Sequence, residues 1–436
     1  WLVGEVVFVV LGWLKKSGLT RVRSIFYLCA AAGFGLLVWI GVIEWSFRYA
    51  LLGALLLVFT VSAAVNLLRG RPAAPRSRRR LILGGMARSL LFFIVCLPAI
   101  LFPQHQNIPP TGDHPVARFE AVFSDASRVD PYAESGEKRS LRVEFWYPQD
   151  GDGAYPLILF SHGSLGVRTS NETLYAELAS HGYVVAAPDH TYQGFFTTDS
   201  DGRVVMIDQG YVNELMKEDA RKDPQNSAIL YQKWMGIRVA DLELVLDQIR
   251  LKQADPQSEV VYRLVDLERV GMIGHSLGGS AALGVGRERG EVRAVLALEA
   301  PFMADILGVQ GGDFIFNTAP YPVAVLNVYS DSLWGRLDQL PQYARNSDYL
   351  RDADALTPEI HIVGATHLSL TDFGQTSPIL TRWIDGREPG QPAVEILKQI
   401  NQLGLAFFDC TLKGIGEWQV DGAALDCAEY AAAGGR

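Results

Sequence analysis

The sequence predicts a mainly parallel α/β sheet with helices on both faces, preceded by an N-terminal bundle of transmembrane helices. Three observations carry this reading. The first 102 residues contain two uncharged runs of 20 residues, at 24–43 and 49–68. From about Val116 onward, short apolar runs alternate with amphipathic segments, the pattern of strands and crossover helices. A Gly-x-Ser-x-Gly motif at 274–278 sits between one such apolar run and a small-residue helical segment. The chain of 436 residues divides accordingly into a membrane region (1–102), a linker (103–115) and a soluble domain (116–436).

In the membrane region, 20 helical residues span about 30 Å, the thickness of a hydrocarbon core. Residues 1–14 read as the end of a further span. Residues 81–102 form a fourth, with Arg88 near one end, where its stem reaches the headgroups by snorkelling. The first residue is Trp1 rather than Met, so residues are expected to precede it. The spans show neither interior charge pairs nor broken-helix signals, which favours anchoring over transport or signalling.

Charge sets the orientation. Residues 1–102 carry 12 Lys and Arg against two acids, Glu5 and Glu44. Lys15, Lys16, Arg21 and Arg23 fill one loop; Arg69, Arg71, Arg76, Arg78, Arg79 and Arg80 fill another. The positive-inside rule puts both loops in the cytoplasm, the 44–48 hairpin outside, and everything after Phe102 outside as well. The remainder is acidic, with 27 basic and 46 acidic residues. That balance argues against nucleic acid as a partner, because phosphate contacts need clustered Lys and Arg. The expected partners are the bilayer and a small-molecule or lipid ester. Cys29 and Cys96 fall inside spans, whereas Cys410 and Cys427 lie in the exported part. A non-cytoplasmic compartment permits a disulfide between that second pair; two unpaired thiols are the alternative.

Residues 103–115, rich in Pro, Gln, Asn and Gly, read as a linker leaving the bilayer. Residues 141–147 alternate like a half-exposed strand. The runs at 157–160 and 184–187 read as strands buried on both faces, with a helix at 173–181 between them and Gly182 closing it. A helix is expected at 239–249, and further strands at 270–273, 294–298, 323–328 and 360–363. The polar, mixed stretch 193–234 reads as an insertion over the active-site face, either a partial lid that shapes the substrate site or a plain surface excursion.

Chemistry centres on Ser276. A strand-to-helix elbow holds its hydroxyl exposed at the sheet edge, and the flanking glycines remove side chains that would collide there. The helix that follows directs its partially positive N-terminus at the reacting centre. A serine hydroxyl needs a base. Of the eight histidines, His105 and His114 are in the linker, His181 ends a helix, His361 is inside a strand, and His275 points the wrong way across the elbow. His367 follows the last strand, within 364–373, in the order serine, acid, histidine. Two acids qualify. Glu299 ends the strand 294–298, and Asp331 follows 323–328 in the more usual place for such a sheet. The loop 160–166 can aim a backbone N–H at an oxyanion, with Leu277 as second donor and His162 buttressing the loop. His162, Asp189 and His190 have no ligand spacing, so no metal and no cofactor are expected.

These residues resemble the platelet-activating factor acetylhydrolase group, its plasma and type II enzymes, and bacterial dienelactone-hydrolase-like relatives within the α/β-hydrolase superfamily. The resemblance covers about 140–410. It rests on Leu159-Phe-Ser-His-Gly-Ser-Leu-Gly-Val-Arg-Thr169, Leu178-Ala-Ser-His-Gly-Tyr-Val-Val-Ala-Ala-Pro-Asp-His190, Gly274-His-Ser-Leu-Gly-Gly279 and the loop 364–373. In that family the triad acid lies in a Leu-Asp segment after the strand that follows the nucleophile helix. The matching Leu298-Glu299-Ala300 favours Glu299 over Asp331, with Glu in place of Asp. The resemblance further implies Ser164 and Leu277 as oxyanion donors, no metal, and substrates with short or oxidised acyl chains. The segment 193–234 departs from the family, so substrate choice is not carried over. The sequence reading is therefore a membrane-anchored serine ester hydrolase. Its alternatives are a dienelactone hydrolase, thioesterase or peptidase of the same fold, or a non-catalytic module tethered to the membrane.

Overall fold

The computed structural model describes residues 1–15, 19–70, 77–133, 136–351, 353, 355–420 and 423–432. Lys16, Arg71 and Arg76, counted above among the loop cations, lie outside the described residues. The chain forms two compact units, one of residues 1–106 with 376–380, the other of 107–375 with 381–436.

The first unit contains α1 (Leu2–Lys15), α2 (Thr20–Trp39), α3 (Phe47–Leu68) and α4 (Arg78–Leu101). Runs rich in Leu and Ala favour helix, and the long stretches 24–43 and 49–68 carry no formal charge. Helices α2, α3 and α4 are long and apolar enough to cross a membrane; α1 is apolar but shorter. Two expectations fail here. Arg88 does not snorkel outward: it sits mid-way along α4 and its Nε bonds Glu5 at 2.9 Å. Glu5, 1 % exposed, also accepts from the Tyr27 hydroxyl at 2.5 Å and lies 3.7 Å from Arg23. An interior charge pair is therefore present. A carboxylate removed from water requires such partners, and these come from α2 and α4.

The second unit is built on an eight-stranded sheet. Its strands are β1 (Val116–Val129), β2 (Lys138–Pro148), β3 (Tyr155–Ser161), β4 (Val184–Pro188), β5 (Val265–His275), β6 (Val292–Leu298), β7 (Ala324–Ser330) and β8 (Glu359–Ile362). The spatial order is β1-β2-β4-β3-β5-β6-β7-β8. Strand β2 runs antiparallel to both its neighbours, and the remaining pairs are parallel. Leu157, Ile158, Leu159 and Phe160 of β3 are fully buried, as a strand covered on both faces requires. Strand β2 is more buried than its alternation suggests. Only Arg142 and Tyr147 are partly exposed between 141 and 147, because β2 lies inside the sheet and Trp146 packs against Tyr175.

Register positions the site. His275 pairs with Leu298, so Ser276 and Glu299 leave adjacent strands at the same level. The loops after β5, β6, β7 and β8 all emerge at this carboxyl edge, where open α/β sheets bind ligands.

Helix α5 (Glu172–Ser180) matches the sequence reading closely. Residues 111–114, read as linker, lie along it: Thr111 N donates to Glu177 and His114 N to Ser180 O. The segment 193–234 is more ordered than it reads. It holds a hairpin (Phe196–Thr198 with Val204–Met206), α6 (Gln209–Lys217) and the start of α7 (Pro224–Gln253). Asp208 and Asp223 cap the two helices by accepting from Tyr211 N and Asn226 N. Helix α7 thus begins 15 residues before 239, where apolar periodicity first becomes visible. Cys410 and Cys427 are joined in a disulfide, while Cys29 and Cys96 are free.

Candidate active site

Strand β5 turns at Ser276 into α8 (Leu277–Glu288). Ser276 has φ 53° and ψ −124°, a left-handed conformation that costs energy for any residue with a side chain. The elbow is held by Ser276 N donating to Leu298 O at 2.9 Å. Two glycines permit it. A Cβ at Gly274 would collide with the carbonyl of Gly278, and one at Gly278 with the carbonyls of Ser161 and His162.

Glu299 is likewise held at positive φ, also 53°. Its N–H donates to Val328 O at 2.8 Å and its carbonyl accepts from the Tyr343 hydroxyl at 3.1 Å. The side chain is fully buried. Oε1 accepts from the N–H and hydroxyl of Ser330, at 2.8 and 2.6 Å, and Oε2 lies 2.5 Å from Nδ1 of His367. Burial works against the carboxylate charge, but these donors outweigh it and hold Glu299 below its ordinary pKa.

His367 follows β8 through Gly364 (φ 83°), and Ser332 Oγ accepts from its N–H at 3.2 Å. Burial disfavours its cation, but the bond to Glu299 and that carboxylate's charge more than compensate, so its pKa is raised. The contact at Nδ1 leaves Nε2 without a hydrogen-bond partner among the described residues, and His367 lines the same cavity as Ser276. His275 does turn away, donating from Nε2 to the His367 carbonyl at 3.0 Å with the two rings 4.5 Å apart. Asp331 is engaged elsewhere, at 2.8 Å from Nε2 of His361 and 3.3 Å from Arg387.

Ser164, Ser276, Leu277, Glu299 and His367 line one cavity of about 340 Å³. Among the described residues, neither the Ser164 nor the Leu277 amide has an acceptor. The Ser164 side chain bonds the Tyr211 hydroxyl at 3.1 Å. Leu215, Glu218, Tyr231 and Trp234, all from 193–234, complete one wall. A larger cavity of about 540 Å³, lined by Arg269, Arg289 and Lys413 among others, contains none of the predicted residues.

Sequence reasoning missed a separate, buried array of Ser161, His190 and Asp241. Ser161 Oγ lies 2.9 Å from Nε2 of His190, and Nδ1 of His190 lies 2.9 Å from Asp241. All three are fully buried and none lines the cavity, so the array braces the strand end that carries the loop 161–166. Burial pushes His190 down to about 4, which makes it a neutral hydrogen-bond link. Asp241 also pairs with buried Arg139. Beside it, Arg238 donates to the His162 carbonyl at 2.5 Å and to Gln193 at 2.9 Å. His162 accepts from His190 N at 3.0 Å and contacts Gly163 O at 2.8 Å. The clue in the sequence was Arg238 and Asp241, three apart on the apolar face of one helix.

With this geometry, the comparison with known proteins is direct. Residues 144–419 match the sequence profile of platelet-activating factor acetylhydrolase, isoform II. The chain belongs to that family. The family match runs from β2 past Cys410, so it includes the elbow, Glu299 and His367 and leaves out residues 1–106. The platelet-activating factor acetylhydrolase of Canis lupus familiaris is 25% identical over 278 residues, covering 61% of this chain and 59% of its own. That of Bos taurus is 27% identical over 245 residues, covering 50% and 48%. The chain thus spans between about half and three-fifths of the length of these relatives. Among solved structures, a ferulic acid esterase from Streptomyces cinnamoneus superposes with a TM-score of 0.54 at 24% identity. It covers 70% of this chain and 92% of its own, a likeness of fold.

Proposed function

We propose that this chain is a serine ester hydrolase, anchored in a membrane by its N-terminal helices, with Ser276 as nucleophile, His367 as base and Glu299 as the orienting acid. One observation carries the reading. The buried Glu299 carboxylate fixes Nδ1 of His367, while the same imidazole shares a cavity with Ser276 and the free amides of Ser164 and Leu277.

Each group then has a role. The Ser276 hydroxyl attacks the ester carbonyl as Nε2 of His367 takes its proton, and Glu299 stabilises the imidazolium. The carbonyl oxygen becomes an oxyanion that accepts from the Ser164 and Leu277 amides. Collapse expels the alcohol, which takes the proton from His367, and leaves an acyl group on Ser276. Water, deprotonated by His367, attacks that acyl-enzyme and releases the acid.

A cavity of about 340 Å³ is near the small end for ligand sites, which suits short acyl groups. The acetylhydrolase relatives support an acetyl or similarly short ester, of small-molecule or lipid origin. Helices α2, α3 and α4 supply the anchor, and the Arg-rich loops favour a catalytic unit on the non-cytoplasmic side. The Cys410–Cys427 disulfide fits that oxidising side.

A fluorophosphonate probe tests the nucleophile. The wild-type protein is expected to label covalently and Ser276→Ala to remain unlabelled. Equal labelling of the two ends the assignment.

A further inference from the structure

The loop 162–166 is held by one fully buried cation. Arg238 lies on α7, and its guanidinium is tied to the loop on both sides of Ser164. On one side Nη1 donates to the His162 carbonyl at 2.5 Å. On the other, Nε donates to the Gln193 side chain at 2.9 Å, and the Gln193 carbonyl accepts from Leu165 N at 3.3 Å. Between these ties lies the Gly163–Ser164 peptide, whose N–H the proposed chemistry gives to the oxyanion. Its carbonyl accepts from Gly166 N at 3.1 Å and lies 2.8 Å from Nδ1 of His162. Nε2 of His162 accepts from His190 N, so the neutral ring carries its proton on Nδ1 and donates it to the Gly163 carbonyl. Two donors on a carbonyl polarise the peptide and strengthen the N–H at its other end.

Arg238 is also a cation without a carboxylate of its own. Among the described residues no Asp or Glu lies within ion-pair distance of it. Asp241, three positions on, is taken up by Arg128, Arg139 and His190. Burial works against the Arg238 charge and lowers its pKa, but a guanidinium stays protonated at neutral pH. A buried cation without a partner costs stability. Its field acts where negative charge develops, and the oxyanion forms at the loop it holds.

We propose that Arg238 is a positioning residue for ester hydrolysis: it fixes the Ser164 amide by tying the loop on both sides, and its charge favours the oxyanion formed at that amide. This deepens the proposed function and rests on it. Arg238 touches no reacting atom and acts through the main chain it holds. Substrate and transition state differ in charge at the carbonyl oxygen, so the effect belongs to kcat and not to KM.

Arg238→Met and Arg238→Lys test it, with kcat and KM on a chromogenic acetate and the inhibition constant of an aryl trifluoromethyl ketone. That ketone adds the Ser276 hydroxyl across its carbonyl, the proton passing to His367, and so forms a stable oxyanion in place of the transient one. In R238M, kcat is expected to fall about 10- to 100-fold with KM changed less than about threefold, and the inhibition constant to rise by the factor kcat loses. R238K keeps the charge and one donor, so a parallel change of about three- to tenfold is expected. If R238M does not fold, R238K decides by the same parallel. A structural role alone would lower the amount of active protein and leave the inhibition constant of the remainder unchanged. That result overturns the proposal, as does a kcat within about threefold of the wild type in R238M, or in R238K where R238M is unfolded. Fluorophosphonate labelling of the wild type separates the two failures. Labelled wild type with unaffected variants removes Arg238 alone; unlabelled, inactive wild type removes the serine chemistry and this inference with it.

Discussion

Asp331 lies 2.8 Å from the imidazole of His361, a residue of β8, rather than against His367, the histidine a triad acid at this position would serve. The two candidate acids thus have separate histidines, and only Glu299 is bonded to His367. Glu299→Gln is expected to lower kcat on a chromogenic acetate by about three to four orders of magnitude, since the amide no longer stabilises an imidazolium. Asp331→Asn is expected to change it by less than about tenfold. The reverse ranking would move the acid to Asp331.

The pH dependence follows from the direction of the His367 shift. As a base His367 must be neutral, and its pKa is raised above the ordinary histidine value. Activity is therefore expected to fall as pH drops through a point above about 6.5. In Glu299→Gln the residual activity should show its acid limb at lower pH. A pH series of kcat/KM on both proteins reads this directly, and coincident limbs would contradict it.

How much was legible in advance differs from residue to residue. The elbow could be read because its constraint is local: Gly274, Ser276 and Gly278 lie within five residues and carry their own turn geometry. Choosing Glu299 over Asp331 needed the family resemblance, since both follow strands at the same sheet edge. The start of α7 was hidden because Ser227, Arg238 and Asp241 are polar yet buried, which breaks the apolar period. Arg88 was misread for a related reason. Its partner Glu5 is 83 positions away, in a helix too short to look like a complete span.

The buried array should reveal itself in stability. Folding holds His190 neutral down to about 4, below its unfolded value. The unfolded chain then binds more protons between about 6.5 and 4, so stability is expected to fall as pH drops through that window. Asp241→Asn leaves Arg139 with a single buried carboxylate partner, Asp130. A loss of about 3–5 kcal/mol is expected in urea unfolding of the isolated variant. A loss below about 1 kcal/mol would show that the array is dispensable.

The disulfide closes a loop with a sequence separation of 17. Cross-linking a loop of that size stabilises by about 3 kcal/mol in the chain-entropy description. Cys427→Ser is expected to lower the unfolding midpoint, and reductant should lower that of the wild type to a similar value. Insensitivity of the wild type to reductant would count against the bond.

The missing side chain at Gly278 joins two segments that are far apart in sequence. Because the first turn of α8 rests directly on the carbonyls of Ser161 and His162, the backbone positions of Ser164 and Leu277 at the cavity are set by neighbouring strands in contact, not by what the two residues carry. Positions 164 and 277 are therefore free to drift in side-chain identity, as long as the backbone beneath them keeps its spacing. Substitution at these two positions can reshape the cavity while the elbow at Ser276 stays where it is.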